Sequence, residues 1–138
     1  MKKNNLKFWI IIIICSLIFI IVIGCIINTN INKKEQVKKD ALIITSTALR
    51  KYIENEEYKN KNNVAVAYKL NDFDYYEALN CPYNNKLYDK DSTILIHYEQ
   101  YDHTLHYETV LECGKHRITY YCNATRNMRD NECELNIS

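Results

Sequence analysis

From Phe8 to Ile27 the chain reads FWIIIIICSLIFIIVIGCII, twenty residues with no charge, one Ser and one Gly. At about 1.5 Å of rise per residue, a helix of that length crosses the ~30 Å hydrocarbon core of a bilayer. The pattern then changes. Asn28 to Asn32 is a polar exit segment suited to headgroups and to capping, and a second helix is expected to begin near Asn32. Val37, Ala41, Ile44, Ala48 and Tyr52 recur every three or four positions, flanked by Leu42, Leu49 and Ile53. That spacing draws one apolar stripe along an amphipathic helix. A helix burying the stripe on its own domain is the simpler account, and a helix offering it to a partner is the alternative.

Glu54 to Asn63 has no apolar period and predicts a solvated linker. Val64 to Leu70 alternates with period two, which predicts a short half-buried strand. Asn71 to Asp74 reads as a turn, Tyr75 to Leu79 as a single helical or irregular turn, and Pro82 holds Cys81 in an extended conformation. Thr93 to Gln100, Leu105 to Cys113 and His116 to Cys122 are rich in β-branched and aromatic residues and alternate cleanly. Turn residues at Asp102-His103 and Gly114-Lys115 predict an antiparallel meander. After Cys122 the run NATRNMRDNE has little to bury and is expected to fray unless Cys133 is tied down. The expected fold class is α+β: a transmembrane helix, a membrane-proximal amphipathic helix, and a small antiparallel sheet domain with two disulfides. The expected divisions are a basic leader (1–7), the anchor (8–27), exit segment, helix and linker (28–63), and a β-rich ectodomain (64–138).

Charge and composition narrow the function. The 138 residues carry a net charge of +1, but Lys2, Lys3 and Lys7 precede the anchor and every acid follows it, which leaves the outer part near −2. That is no footprint for nucleic acid. Two Gly in the whole chain leave no glycine-rich phosphate cradle, and no cofactor or small-molecule substrate is expected. Asn, Ile, Lys and Tyr are all abundant, as an AT-rich genome would produce, so the twelve tyrosines need no special role.

Lysines flank the anchor on both sides, Lys33, Lys34, Lys38 and Lys39 following it, so charge barely decides orientation. The cysteines decide better. Cys81, Cys113, Cys122 and Cys133 are an even set in a small domain, which favours disulfides in an oxidising compartment. The ectodomain is therefore expected outside, with residues 1–7 inside. Four cysteines allow three pairings and the sequence does not choose among them. Cys81 with Cys113 and Cys122 with Cys133 is the preferred set, because the second bond would staple the tail. Val22-Ile23-Gly24-Cys25 looks like a lipoprotein lipobox, which makes Cys25 a candidate lipidation site, although the apolar run continues beyond it to Ile27.

Other constellations are weaker. His97, His103, His106 and His116 with the cysteines could suggest zinc, but the cysteines are separated by 31, 8 and 10 residues and no C-x-x-C occurs. The pairs Asp72 with Asp74 and Asp89 with Asp91 lack the rest of a calcium loop. No G-x-S-x-G or H-E-x-x-H is present, and disulfides would consume the thiolates of a cysteine nucleophile. A non-enzymatic protein is expected, with no metal site. Asn123-Ala124-Thr125 and Asn136-Ile137-Ser138 match the N-glycosylation pattern, in a chain where Asn is common.

The anchor, the helix, the strand-borne YETVLEC ending at Cys113 and the NEC at Cys133 together resemble the small, disulfide-bonded envelope subunits of the poxvirus entry-fusion complex. The resemblance implies a virion-membrane protein that acts without catalysis in cell entry and membrane fusion. Its partners would be the lipid bilayer and other membrane proteins of one complex, with Cys81, Cys113, Cys122 and Cys133 as disulfide partners and the sequons unused. Tyr75, Tyr76 and Tyr83 are candidate exposed contacts for those partners. A membrane helix continuing into an outer helix and a small sheet with cysteines also resembles pilin-like or lipoprotein surface proteins of low-GC bacteria. Asn5-Leu6-Lys7-Phe8 stands where their processing signal would be.

Overall fold

The computed structural model describes residues 2–59, 65–74, 79–101, 103–124 and 132–138. Its first element is a 53-residue helix, α1 (Lys2–Glu54). No second helix begins near Asn32. Asn is only a few tenths of a kcal/mol worse than average in a helix, and neither Pro nor Gly stands between Cys25 and Glu54 to break the hydrogen-bond ladder. The polar exit segment is therefore helical throughout. The chain divides into two compact units, Met1–Glu35 and Gln36–Ser138.

In the first unit the apolar side chains from Ile10 to Ile27 are bare, the larger ones between 40 and 66% exposed. This helix is long and apolar enough to cross a membrane.

In the second unit α1 packs its stripe inward: Val37, Ala41, Ile44, Ala48 and Tyr52 are all buried. Ala41 and Ala48 have no bulk beyond Cβ, which lets the helix approach its neighbours closely. The helix ends where Glu56 takes a left-handed conformation (φ 55°), and a 3₁₀ turn (Glu57–Lys59) follows.

Five strands complete the unit: β1 (Val66–Lys69), β2 (Thr93–Glu99), β3 (Thr104–Cys113), β4 (His116–Ala124) and β5 (Glu132–Ile137). They form one antiparallel sheet in sequence order. The register puts Tyr68 opposite Ile94, Ile96 opposite Tyr107, Thr109 opposite Tyr120, and Leu111 opposite Ile118. These residues share one face and join the helix stripe in a single core with Leu70, Phe73 and Tyr88. Where the expected three-strand meander falls short is β5. Its Cys133, Leu135 and Ile137 alternate onto the core face opposite Cys122, Tyr120 and Ile118, and Cys133 is tied down by its bond to Cys122, while residues 125–131 of the preceding run lie outside the described residues. The expected strand start at Val64, most of the turn over 75–79, and part of the linker lie outside the described residues.

Both disulfides lie in this unit. Cys81 joins Cys113 with Cα atoms 6.1 Å apart, and Cys122 joins Cys133 across β4 and β5 with Cα atoms 4.2 Å apart. The first bond ties the β1–β2 connection to the end of β3. Ser92 adds to that junction. Its carbonyl accepts from the Leu70 N–H at 2.9 Å, and its hydroxyl accepts from the Glu112 N–H at 3.0 Å.

Candidate functional site

Two buried polar pairs fix α1 against the rest of its unit. Thr45 and Thr109 hydroxyls meet at 2.6 Å, and Thr45 also donates to the Ala41 carbonyl. Asp40 is 2% exposed and accepts from the Tyr88 hydroxyl and the Gln36 amide, each at 2.8 Å. Burial raises the Asp40 carboxyl above its usual range, against the lowering effect of the two hydrogen bonds. Burial likewise drives the Tyr88 phenol well upward, helped by its bond to Asp40. These pairs specify the docking geometry and are buried in the core.

Several hollows open on the surface of this unit, among them one of about 360 Å³ lined by Thr47, Arg50, Lys51, Glu54, Asp72 and Phe73 and two smaller ones lined by histidines or tyrosines. On the sheet face away from the core, Leu95, His97, His106, Glu108 and Tyr121 line a shallow hollow of about 190 Å³. His97 and His106 are direct cross-strand partners with ring centroids 6.2 Å apart. His106 is held at both nitrogens. Its Nδ1 lies 2.5 Å from Asn123 Oδ1 and its Nε2 lies 3.5 Å from the Glu99 carboxylate. Tyr121 also donates to Asn123 Oδ1 at 2.6 Å. The polar groups of this network lie beside apolar lining from Ala65, Leu95 and Tyr107. It can hydrogen-bond a partner surface.

The second feature is a pit of about 250 Å³ lined by Tyr52, Ile53, Tyr58, Tyr98 and Leu105, where the C-terminal end of α1 meets the turn end of the β2–β3 hairpin. Tyr52 is buried, Tyr98 is half-buried, and Tyr58 and Ile53 are exposed. The Tyr98 hydroxyl is 2.8 Å from His103 Nδ1. In the same unit the Tyr68 hydroxyl is buried with no hydrogen-bond partner among the described residues. Sequence reasoning places Tyr52 on the core stripe, Tyr58 in a linker and Tyr98 on a strand. No signal in the sequence joins them, because they meet only in the folded unit.

The residues singled out from sequence fall as follows. Cys81, Cys113 and Cys122 are buried in their disulfides and Cys133 is exposed. Cys25 is a free, exposed thiol on α1, as is Cys15. Asn123 is half-buried within the network above, whereas Asn136 is exposed on β5. The four histidines and four cysteines do not converge. Among the described residues no group of three or more His, Cys, Asp or Glu is placed to hold a metal ion. The aspartate pairs shape turns: Asp72 accepts from the Lys69 N–H at 2.8 Å, and Asp89 from the Asp91 N–H at 3.0 Å. Tyr83 is not an exposed contact. It is half-buried, with its ring 4.5 Å from that of His116, because the Cys81–Cys113 bond draws its loop onto the sheet. Tyr75 and Tyr76 lie outside the described residues. No family model, curated protein or solved structure matches this chain.

Proposed function

We propose that this chain is a non-enzymatic, membrane-anchored ectodomain, an envelope subunit that acts in cell entry and membrane fusion as part of a multi-protein complex. The observation that carries the reading is the contrast between the two units. One is a bare apolar helix of bilayer length, and the other is a small disulfide-bonded domain whose polar interior is spent on holding itself together. The resemblance of the cysteine-bearing segments to small entry-fusion subunits supplies the virion membrane as the location. In this reading residues 1–7 face inward, the anchor spans, and the segment from Gln36 forms the membrane-proximal amphipathic part of the outer domain. The hollow around His97 and His106 is the docking face for sister subunits, and none of these contacts requires catalysis. The test is removal of the chain from the particle that carries it. Content mixing with target vesicles should fall while particle assembly persists, and undiminished mixing overturns the reading.

A second reading rests on one observation that the first does not use. α1 runs without a break from the apolar run into the core stripe of a small antiparallel sheet, the architecture expected of a pilin-like bacterial surface protein, and Cys25 is a free thiol within a lipobox-like stretch. The intact mass of unreduced protein taken from its native membrane separates the two. A full-length chain lighter by four hydrogens keeps the envelope reading ahead. A chain starting at an acylated Cys25 replaces it with a lipoprotein.

A further inference from the structure

One edge of the sheet is guarded and the other is open. β1 is four residues long, carries Lys69, and has the Lys69 N–H taken by the Asp72 carboxylate, all of which discourage a further strand. β5 is six residues long and has a neighbour only in β4. Arg117 and Ser138 exchange both of their backbone bonds at 2.9 Å, and that pair fixes which way each residue of β5 faces. In an antiparallel ladder successive residues turn their N–H and C=O groups to opposite sides. Glu132, Glu134 and Asn136 therefore bond toward β4, while Cys133, Leu135 and Ile137 direct three N–H and three C=O groups to the open edge. No backbone group among the described residues bonds to them. Burial falls away at the same edge. Ile118, Tyr120 and Cys122 on β4 are buried, whereas of their partners Leu135 and Ile137 are half-buried and Cys133 is exposed. The strand is also acidic. It reads ECELNI, without a basic residue. Glu134 and Glu132 stand opposite the neutral Tyr121 and Asn123, and Glu134 makes no ion pair among the described residues.

We propose that the open edge of β5 receives an extended segment of a partner protein as a sixth, antiparallel strand, whose apolar side chains on the core face alternate with lysine or arginine on the other. The backbone groups decide the form of this occupant. A row of N–H and C=O groups repeating at every second residue is matched by the backbone of another strand, whereas a helix has spent its own backbone groups internally. The half-buried Leu135 and Ile137 decide one face, because apolar side chains opposite them extend the core by one row. The acids of β5 decide the other face, where a cation opposite or diagonal to Glu134 is favoured. A second copy of β5 fits less well, since it brings the same acidic strand to the seam. This edge is a different surface from the hollow around His97 and His106, and its chemistry does not depend on the membrane-anchored reading.

The experiment uses the full chain in uncharged maltoside micelles, with the end-capped peptide Lys-Val-Lys-Val-Lys-Val-Lys as the added strand. In an antiparallel pair the residues facing Cys133, Leu135 and Ile137 make the bonds, so the valine N–H groups point at β5 and the lysine N–H groups point away. Two peptides of equal charge and apolarity are compared, one N-methylated at the three valines and the other at three of the lysines. The lysine-methylated peptide should bind like the parent, and the valine-methylated one at least about tenfold more weakly. Binding should slow hydrogen exchange at the Cys133, Leu135 and Ile137 amides and leave Glu134 and Asn136 unchanged. Exchanging the peptide's lysines for glutamates should weaken binding by about threefold or more. Leu135→Pro removes an N–H that makes no bond inside the sheet, so it should abolish binding while both disulfides and cooperative unfolding persist. The peptide comparison needs no variant and stands if that one misfolds. Equal or reversed affinities of the two methylated peptides overturn the added strand. Equal affinities of the lysine and glutamate peptides overturn the basic partner, as does self-association of the full chain that Leu135→Pro abolishes, which assigns the edge to a second copy.

Discussion

The Tyr88 hydroxyl donates a 2.8 Å hydrogen bond to the carboxylate of Asp40, 48 residues earlier in the chain, and both residues are 2% exposed. A buried carboxylate is expensive unless its lone pairs are filled, and here Tyr88 and Gln36 fill them. Removing the Tyr88 hydroxyl leaves Asp40 short of a donor. Tyr88→Phe is expected to destabilise the second unit by about 1–3 kcal/mol in urea unfolding, and a neutral effect would show that the bond is dispensable.

The sign of Asp40's effect with pH follows from the same burial. Its folded pKa lies above the ordinary 3.8, chiefly through desolvation. The folded protein therefore holds that proton more tightly than the unfolded chain. Its contribution to stability is full below the unfolded value and is lost as pH rises through the raised folded value. Asp40→Asn keeps an acceptor for Tyr88 and removes the titration. The stability of wild type relative to this variant should fall as pH rises from about 4 toward neutrality, and a difference flat with pH would refute the assignment.

Thr45 and Thr109 make a different kind of pair, neutral and fully enclosed, with hydroxyl oxygens 2.6 Å apart. Thr45→Val strands the Thr109 hydroxyl and should cost about 1–2 kcal/mol, whereas Thr109→Val leaves Thr45 donating to the Ala41 carbonyl and should cost less. The double change should cost less than the sum, leaving a coupling of about 1 kcal/mol in a double-mutant cycle. Strict additivity would mean that the two hydroxyls do not depend on each other.

Much of this core is legible from period alone. Val37, Ala41, Ile44, Ala48 and Tyr52 mark a buried face at helical spacing, and Ile94, Ile96, Tyr107 and Leu111 mark one at strand spacing. Less legible are features whose signal is local and weak. The Asn-rich stretch suggests a boundary where none exists, because an exit from a helix needs a breaker and Asn is not one. β5 is hidden because only three alternating positions, Cys133, Leu135 and Ile137, carry it, and its pairing with β4 supplies what its own sequence lacks. The aromatic pit is invisible for another reason: Tyr52, Tyr58 and Tyr98 meet only after the helix has docked on the sheet. No period in a sequence records that convergence.

Gly114 occupies the first position of the two-residue turn between β3 and β4 with φ +64°. An added Cβ would lie 3.1 Å from the Asn84 side-chain nitrogen. Gly114→Ala therefore meets both backbone strain and a tight contact, and is expected to lower stability by about 1 kcal/mol or slightly more. A thermal shift indistinguishable from zero would mean that the turn adopts another conformation.

The two disulfides should differ in what they hold. Cys81 and Cys113 are 32 positions apart, and both sulfur-bearing residues are essentially solvent-free. Cys122 and Cys133 are 11 apart, and Cys133 is exposed. Loop-closure entropy gives the longer link about 4 kcal/mol and the shorter about 3. The longer link also closes the core where the β1–β2 connection crosses the end of β3, so losing it exposes buried surface around Tyr83 and Tyr88. The shorter link reinforces a strand pair already held by the β4–β5 register. Replacing Cys81 and Cys113 together by Ala should lower the melting temperature more than replacing Cys122 and Cys133. Under graded reductant the exposed Cys122–Cys133 bond should open first, read by thiol alkylation and mass. If the inner bond opened first, the enclosure of Cys81 and Cys113 would not hold in solution.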